Sequence, residues 1–182
     1  LSPRFRCIEL ATGTRSEVTS AVASLYQQAA PDVVISIERP GAAADGHCYN
    51  MAGESISTLC SATEPYLELA ACPTIAIGDG GNELGMGKAQ TALAALNIRA
   101  ATSDCDELIV ADVSNWAAYA LHVFIQWLDN MPGSIALDIH QQLAHLIALG
   151  AVDGVTGLPS PTEDGFPANA GSHFLEEANT IL

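Results

Sequence analysis

Short apolar runs alternate with longer amphipathic stretches along this chain. Phe5 to Leu10, Asp32 to Ile37, Thr74 to Ile77 and Glu107 to Ala111 have the length and composition of strands. Between the first two, Ser16 to Ala30 carries apolar residues at helical spacing. Strands that alternate with helices are typical of an α/β fold with a mainly parallel sheet and flanking helices. The pattern therefore predicts a three-layer Rossmann-like sandwich.

Further helical stretches complete the pattern. Thr14 or Ser16 is expected to cap the first helix, and Pro31 to end it. The other predicted helices are Glu64 to Ala71, Gly87 to Leu96, Val113 to Asp129, Ile135 to Leu149 and a short terminal helix near Ser172 to Ala178. Residues 1–182 are expected to form a single α/β domain, which a chain of this length can fill.

The run Asp32 to Ile37 is apolar without alternation, which predicts a strand buried on both faces. A loop of about 20 residues follows it, from Glu38 to Ser57, and ordered loops of that length are often functional. Polar residues stand directly after three predicted strands, at Glu38 to Gly41, Gly78 to Gly81 and Asp112 to Asn115. Because parallel strands end at one edge of a sheet, these three clusters are expected to converge there.

The second of these clusters opens an unusual glycine-rich run, Ile77 to Lys88 (IGDGGNELGMGK). It is not a dinucleotide fingerprint, because Glu83 stands where the third glycine would be, and Gly87-Lys88 lacks the following Ser or Thr of a phosphate-binding loop. Asp79, Asn82 and Glu83 offer carboxylate and amide oxygens, the ligands that Mg²⁺ or Mn²⁺ prefers. A glycine-rich turn with a solvated acid and a capping Asn is the plainer alternative.

The first cluster, with the loop after it, adds other candidates. Glu38 and Asp45 are placed for metal binding or general-base catalysis, and Arg39 could hold a substrate carboxylate in a bidentate fork. A salt bridge of Arg39 to a Glu, together with Asp-Gly turn chemistry, explains the same residues without a function.

The third cluster and the C-terminal region offer weaker candidates. Ser114 is expected to be a helix N-cap, although the helix start at Ser114-Asn115 could also bind a substrate carboxylate. Asp153-Gly154 and Asp164-Gly165 are interpreted first as turns.

Composition limits the partners. Acidic residues number 21 against six Lys and Arg, which gives a net charge of −15. Such a surface disfavours nucleic acid and anionic membranes and suits cationic partners such as metal ions. Five cysteines without C-x-x-C spacing indicate reduced thiols, and no apolar run is long enough to span a bilayer. A cytoplasmic protein is expected, with the mitochondrial matrix as the alternative, and a homo-oligomer stays open.

Several stretches together resemble one family. ISIERPG (35–41), DGHCYNMAG (45–53), IGDGGNELGMGK (77–88), SNWAAYAL (114–121) and GAVDGVTG (150–157) are similar in order and spacing to the D-glutamate cyclases. Ala52 and Ala117 depart from the residues usual in that family. Family members also carry an upstream acidic glycine motif before the region where this chain begins, so the domain is expected to be the C-terminal part of a longer cyclase domain.

The resemblance implies an α/β lyase that converts D-glutamate to 5-oxo-D-proline and water with a divalent metal. It points to Glu38, Asp45, Asp79, Asn82 and Glu83 as site residues, and then to Asn115 and Asp153. We expect Asp79 and Glu83, with Asp153, to bind Mg²⁺ or Mn²⁺, and Glu38 or Asp45 to transfer protons. Alternatives left open are a metal-dependent hydrolase or lyase of another small anionic metabolite and a non-catalytic metal- or ligand-binding domain.

Overall fold

The computed structural model describes residues 6–9, 13–130 and 137–181. The chain divides into two compact units, Leu1–Ile109 and Val110–Leu182. The expectation of a single domain over residues 1–182 stays a prediction.

The first unit is built on a three-stranded parallel sheet in the order β1-β2-β3. In β1 and β2, Val34 lies opposite Thr74 and Ile37 opposite Ile77. The elements of this unit are α1 (Arg15–Ala29), β1 (Val34–Ile37), α2 (Glu64–Glu68), β2 (Thr74–Gly78), a 3₁₀ turn (Met86–Ala89), α3 (Gln90–Leu93) and β3 (Glu107–Val110). The α/β class with a parallel sheet and flanking helices is thereby confirmed.

The first helix starts as its sequence predicts. Thr14 accepts a hydrogen bond from the backbone of Glu17, and the Glu17 carboxylate accepts one from the backbone of Thr14, which completes a capping box. Val18 and Val22 are fully buried. The helix ends at Ala30 in the left-handed conformation, directly before Pro31.

The core of this unit lies between α2 and the sheet. It joins apolar side chains from α2, from all three strands and from the glycine-rich run: Leu67, Ala76, Leu84, Cys105, Val34 and Leu108. Leu84 belongs to the glycine-rich run and is 2% exposed in this core. The core therefore anchors the run at Leu84.

The prediction that the strand after α1 is buried on both faces is wrong. Ile35 and Ile37 keep 40% and 42% of their surface exposed, whereas Ser36 between them is buried. Within the described residues only β2 pairs with this strand, and Ile35 and Ile37 share the one face of it that is left partly uncovered. Sequence alone does not distinguish an edge strand from a central one when both are apolar.

Two other predicted elements differ in this unit. Residues 6–9 of the strand predicted at Phe5 to Leu10 form no strand, and the two end residues lie outside the described part of the chain. The helix predicted over Gly87 to Leu96 is broken into the 3₁₀ turn and α3. The Gly87 backbone N–H donates to Ser103 O at 2.8 Å. This bond holds the 3₁₀ turn against the segment that precedes β3, so the α-helical conformation starts only at α3.

The second unit is mainly helical. It contains α4 (Ser114–Leu128), α5 (Ile139–Ala148), β4 (Thr162–Glu163), β5 (Phe166–Pro167) and α6 (Ala168–Ile181). α6 packs against α4, α5 and the two short strands. Asp164 and Gly165 both have positive φ, 49° and 81°, as a two-residue hairpin turn requires. No described helix is both long and apolar enough to cross a bilayer.

The boundaries of these helices correct three expectations. Val113 is the N-cap of α4, so Ser114 is its first helical residue and not its cap. The next helix starts at Ile139, after the Asp138 carboxylate cap, whereas it was expected from Ile135, a residue outside the described ranges. The terminal helix is longer than Ser172 to Ala178, because it continues directly from β5.

Candidate active site

The ends of β1 and β2 are tied together by backbone hydrogen bonds. Glu38 N–H donates to Ile77 O at 3.0 Å, and Leu84 N–H donates to Arg39 O at 2.7 Å. Pro40 and Glu83 form an antiparallel bridge between the two segments. Two of the three polar clusters expected at the strand ends therefore converge. The third, Asp112 to Asn115, belongs to the second unit, and its convergence stays a prediction.

Three carboxylates meet where these segments join. The side chains of Glu38, Asp79 and Glu83 each offer an oxygen, and these three oxygens lie within 4.8 Å of one another. Glu38 is exposed, Asp79 is partly buried and Glu83 is 3% exposed. Such a group of hard oxygen donors, part buried and part open, fits a divalent cation such as Mg²⁺ or Mn²⁺ that keeps some of its water.

Glu83 is the most firmly held of the three. Its carboxylate accepts the backbone N–H of Gly80 at 3.0 Å and that of Gly81 at 2.7 Å. A Cβ at Gly78 would lie 2.9 Å from Glu83 Oε2, so the carboxylate folds back into this turn only because residue 78 has no side chain. Each Glu83 oxygen still has a lone pair for a cation.

Glu38 adopts a strained backbone conformation. Its φ is +50°, in the left-handed region that only Gly, Asn and Asp enter readily. Strain of this kind persists where the surrounding structure enforces it and is common at functional sites. Here the hydrogen bond from Glu38 N–H to Ile77 O and the bridge at Pro40 hold the residue in place.

Replacing Glu38 by Asn should therefore separate function from stability. Asn tolerates the left-handed conformation, so the free energy of unfolding should stay equal or rise by up to about 1 kcal/mol. Mn²⁺ affinity should fall, because a negative charge beside the two expected cation ligands, Asp79 and Glu83, is lost. Urea denaturation and calorimetric Mn²⁺ titration measure the two effects; lower stability with unchanged affinity would contradict both expectations.

Asn82 carries an acceptor that the fold leaves unused. Its Nδ2 donates to Tyr49 O at 2.8 Å. Its Oδ1 is buried and has no hydrogen-bond partner among the described residues. Since a carbonyl oxygen can only accept, the amide nitrogen must face Tyr49 O, which fixes the orientation of Oδ1. A buried acceptor without a donor is rare in native proteins and suggests a place for a ligand.

Asp45 lies outside the carboxylate group. It is exposed, and its oxygens accept hydrogen bonds from the Tyr49 hydroxyl at 2.7 Å and from the backbone N–H of His47 at 3.1 Å. The Tyr49 hydrogen bond, followed by that of His47, lowers the pKa of Asp45. A carboxyl with a lowered pKa is a weaker base, which disfavours Asp45 as the proton acceptor.

Arg39 follows Glu38 and lines a groove of about 360 Å³ along β1, together with Tyr66. Burial raises the pKa of Tyr66, and the positive charge of Arg39 opposes that rise. The salt bridge of Arg39 to a Glu and the binding of a substrate carboxylate by Arg39 both stay predictions.

In the second unit, the side chain of Asn115 is committed to a partner that sequence reasoning missed. Glu163, 4% exposed, accepts Asn115 Nδ2 at 2.9 Å and Trp116 Nε1 at 3.3 Å, and it also accepts the Tyr119 hydroxyl. Burial, followed by that hydrogen bond, raises the pKa of Tyr119. No signal in the sequence marks Glu163, which stands in a hairpin. Substrate binding by Ser114 and Asn115 stays a prediction.

Asp153, expected as a metal ligand, forms a turn in the second unit. Its Oδ1 accepts the backbone N–H groups of Val155 at 3.0 Å and Thr156 at 2.7 Å, and its Oδ2 accepts that of Gly165 at 2.9 Å. These bonds, led by that of Gly165, hold the pKa of Asp153 well below its usual range. The turn interpretation is confirmed, and metal binding by Asp153 stays a prediction.

Asp153→Asn should destabilise the chain at pH 7, because an anionic acceptor of three backbone N–H groups is weakened. A lowered folded-state pKa stabilises the fold fully above the unfolded pKa of about 3.9, and this contribution is lost as the pH falls through the folded pKa. The loss of unfolding free energy in Asp153→Asn relative to wild type should therefore become smaller below the unfolded pKa of about 3.9. Urea denaturation at pH 7 and pH 3 measures it, with exposed Glu176→Gln as control; a pH-independent difference would contradict the expectation.

Comparison with known protein families identifies the family to which this chain belongs. Residues 4–179 match the model of the family described as D-glutamate cyclase-like, C-terminal. The chain belongs to this family. Among curated proteins it is similar to the human D-glutamate cyclase, mitochondrial, with 39% identity over 98 residues. That match covers 50% of this chain and 16% of the human protein, so the chain corresponds to only part of the longer D-glutamate cyclase.

Proposed function

We propose that this chain catalyses the cyclisation of D-glutamate to 5-oxo-D-proline with loss of water. The observation that supports the proposal most is the group formed by Glu38, Asp79 and Glu83 in a member of the D-glutamate cyclase-like family. The carboxylates lie at the carboxyl ends of parallel strands, where α/β proteins bind small ligands.

The reaction makes two demands on a site. The α-amino nitrogen must lose a proton before it can form a bond to the γ-carboxyl carbon. The C–O bond of that carboxyl then breaks, and its oxygen leaves as water with the two protons that the nitrogen gives up. A γ-carboxylate is a poor electrophile, so its negative charge must be neutralised as well.

Asp79 and Glu83 are proposed to hold Mg²⁺ or Mn²⁺. When bound, the cation supplies the charge neutralisation that the γ-carboxylate needs. The backbone N–H groups of Gly80 and Gly81 fix the Glu83 carboxylate before any ligand arrives, which lowers the cost of assembling the site.

Glu38 is the proposed proton carrier. It is the exposed member of the group, and it lies within reach of the two fixed carboxylates. It would take the proton of the substrate ammonium and deliver it to the departing oxygen. Asp45, the alternative from the sequence, is the weaker candidate because its pKa is lowered by Tyr49 and His47.

Arg39 is proposed to bind the α-carboxylate, since it lines a groove along β1 and its planar guanidinium can hold a carboxylate in a bidentate fork. A small-molecule substrate is the expected partner, and nucleic acid and membranes are not. The human relative is mitochondrial by name, which favours the mitochondrial matrix over the cytoplasm for this chain. A homo-oligomer stays a prediction.

A substrate panel tests the proposal. The chain is incubated with Mg²⁺ or Mn²⁺ and D-glutamate, L-glutamate, D-glutamine or D-aspartate, and the products are separated by chiral chromatography. We expect 5-oxo-D-proline from D-glutamate only. Turnover of another compound without D-glutamate cyclisation would favour a different hydrolase or lyase, and metal binding without any turnover would favour a non-catalytic binding domain.

A further inference from the structure

A short hairpin covers the glycine-rich turn beside the carboxylates. Residues 48–56 fold back on themselves, because Asn50 N–H donates to Glu54 O at 3.0 Å and Ile56 N–H donates to Cys48 O at 2.9 Å. Tyr49 and Ser55 form an antiparallel bridge. This hairpin, residues 48–56, is called the flap below, and Met51 lies at its tip.

The flap touches the site at two points. Asn82 Nδ2 donates to Tyr49 O in the flap. The Met51 thioether lies against Gly80, since a Cβ placed on Gly80 would be 2.6 Å from Met51 Sδ. Gly80 directly follows Asp79, and its N–H holds Glu83. The flap tip therefore contacts the turn that carries Asp79 and holds Glu83, although half of the Met51 surface remains exposed.

The unpaired acceptor lies under the same tip. The point that a Gly80 Cβ would occupy is 3.0 Å from Asn82 Oδ1 as well as 2.6 Å from Met51 Sδ. Met51 and Asn82 Oδ1 are thus on the same side of Gly80. A thioether cannot donate a hydrogen bond, so Met51 does not satisfy this oxygen.

From this arrangement we propose that the flap is a movable wall of the site. Met51 shifts when the substrate enters, the substrate's ammonium donates to Asn82 Oδ1, and Met51 then packs on the methylene carbons beside it. The inference rests on the proposed function and deepens it: the ligand is a small amino acid that combines an N–H donor with a short apolar chain. An unbranched, flexible Met side chain suits a contact that must move and repack.

Steady-state kinetics give the first test. Met51→Ala should raise KM for D-glutamate about tenfold, the effect of losing a modest apolar contact, and should change kcat much less. Leu59→Ala is the matched control, because Leu59 is an apolar residue of the following loop with 85% of its surface exposed. An unchanged KM in Met51→Ala in an active enzyme would overturn the flap and leave the proposed function standing.

Methionine oxidation gives a test that does not need turnover. Dilute hydrogen peroxide should oxidise Met51 and spare Met86, which is 1% exposed and serves as internal reference. D-glutamate with Mg²⁺ should slow Met51 oxidation several-fold. Protection without 5-oxo-D-proline formation would support the flap and reject the cyclase; turnover without protection would reject the flap alone; neither would reject both.

Discussion

Asp79→Asn is expected to lower the rate of 5-oxo-D-proline formation by at least about 100-fold, because the change removes an anionic cation ligand and leaves the shape of the side chain. Asp79 lies directly after β2 and contributes one of the three oxygens of the carboxylate group. It is only partly buried, so the isosteric amide should leave the fold intact. Product formation, Mn²⁺ affinity and circular dichroism are measured on the same preparation.

Asp32→Asn is the matched control for this variant. Asp32 is exposed and stands just before β1, so the control makes the same chemical change in the same unit, outside the carboxylate group. It should keep wild-type activity and Mn²⁺ affinity. If Asp79→Asn also kept full activity while folded, the assignment of the reaction to this carboxylate group would be wrong.

Glu83→Gln should damage both stability and function. Glu83 is 3% exposed and accepts two backbone N–H groups, one on each oxygen. An amide nitrogen cannot accept, so one of these N–H groups loses its partner, and the free energy of unfolding should fall by about 1–3 kcal/mol. The activity should fall at least as far as in Asp79→Asn, since the turn that presents Asp79 is loosened too.

Urea denaturation with and without Mn²⁺ measures the change in Glu83→Gln. Glu107→Gln is its control, an exposed glutamate in β3 of the same unit. We expect Mn²⁺ to stabilise the wild type and Glu107→Gln, but not Glu83→Gln. A Glu83→Gln protein as stable as wild type would mean that the two N–H bonds contribute little to the turn.

The sequence predicted the convergence of two strand ends better than it predicted the contacts around them. Glu38 and Asp79 each follow a strand, and parallel strands end at one edge, so their proximity follows from the pattern. The orientation of Glu83 toward Gly80 and Gly81 could not be predicted, because it depends on the positive φ of Gly81 and on the missing side chain of Gly78.

Other features depend on distant parts of the chain. The exposure of Ile35 and Ile37 depends on whether another element packs over their face of the sheet, which no local pattern encodes. The sequence suggested that Asn115, at a helix start, could bind a ligand. In the fold its side chain donates to Glu163, which lies 48 residues later in the chain. The flap was visible only as a long loop, since its contact with Gly80 joins segments that are separated in sequence.

Family resemblance and geometry contribute different parts of the proposal. The substrate, D-glutamate, comes from the family and not from the shape of the site. The roles within the site come from the contacts: Glu83 is fixed by two N–H groups, Glu38 is exposed and strained, and the pKa of Asp45 is lowered. These contacts favour Glu38 over Asp45 as the proton carrier, a choice that the sequence left open.

The most direct test compares metal binding with turnover in the wild-type chain. Metal is removed with EDTA, Mn²⁺ is added back in steps, and both calorimetric binding and 5-oxo-D-proline formation from D-glutamate are followed. We expect no activity without metal and a rise in activity that follows the binding curve, with both lost in Asp79→Asn. Full cyclase activity in the metal-free chain, or Mn²⁺ binding that Asp79→Asn leaves unchanged, would contradict this expectation.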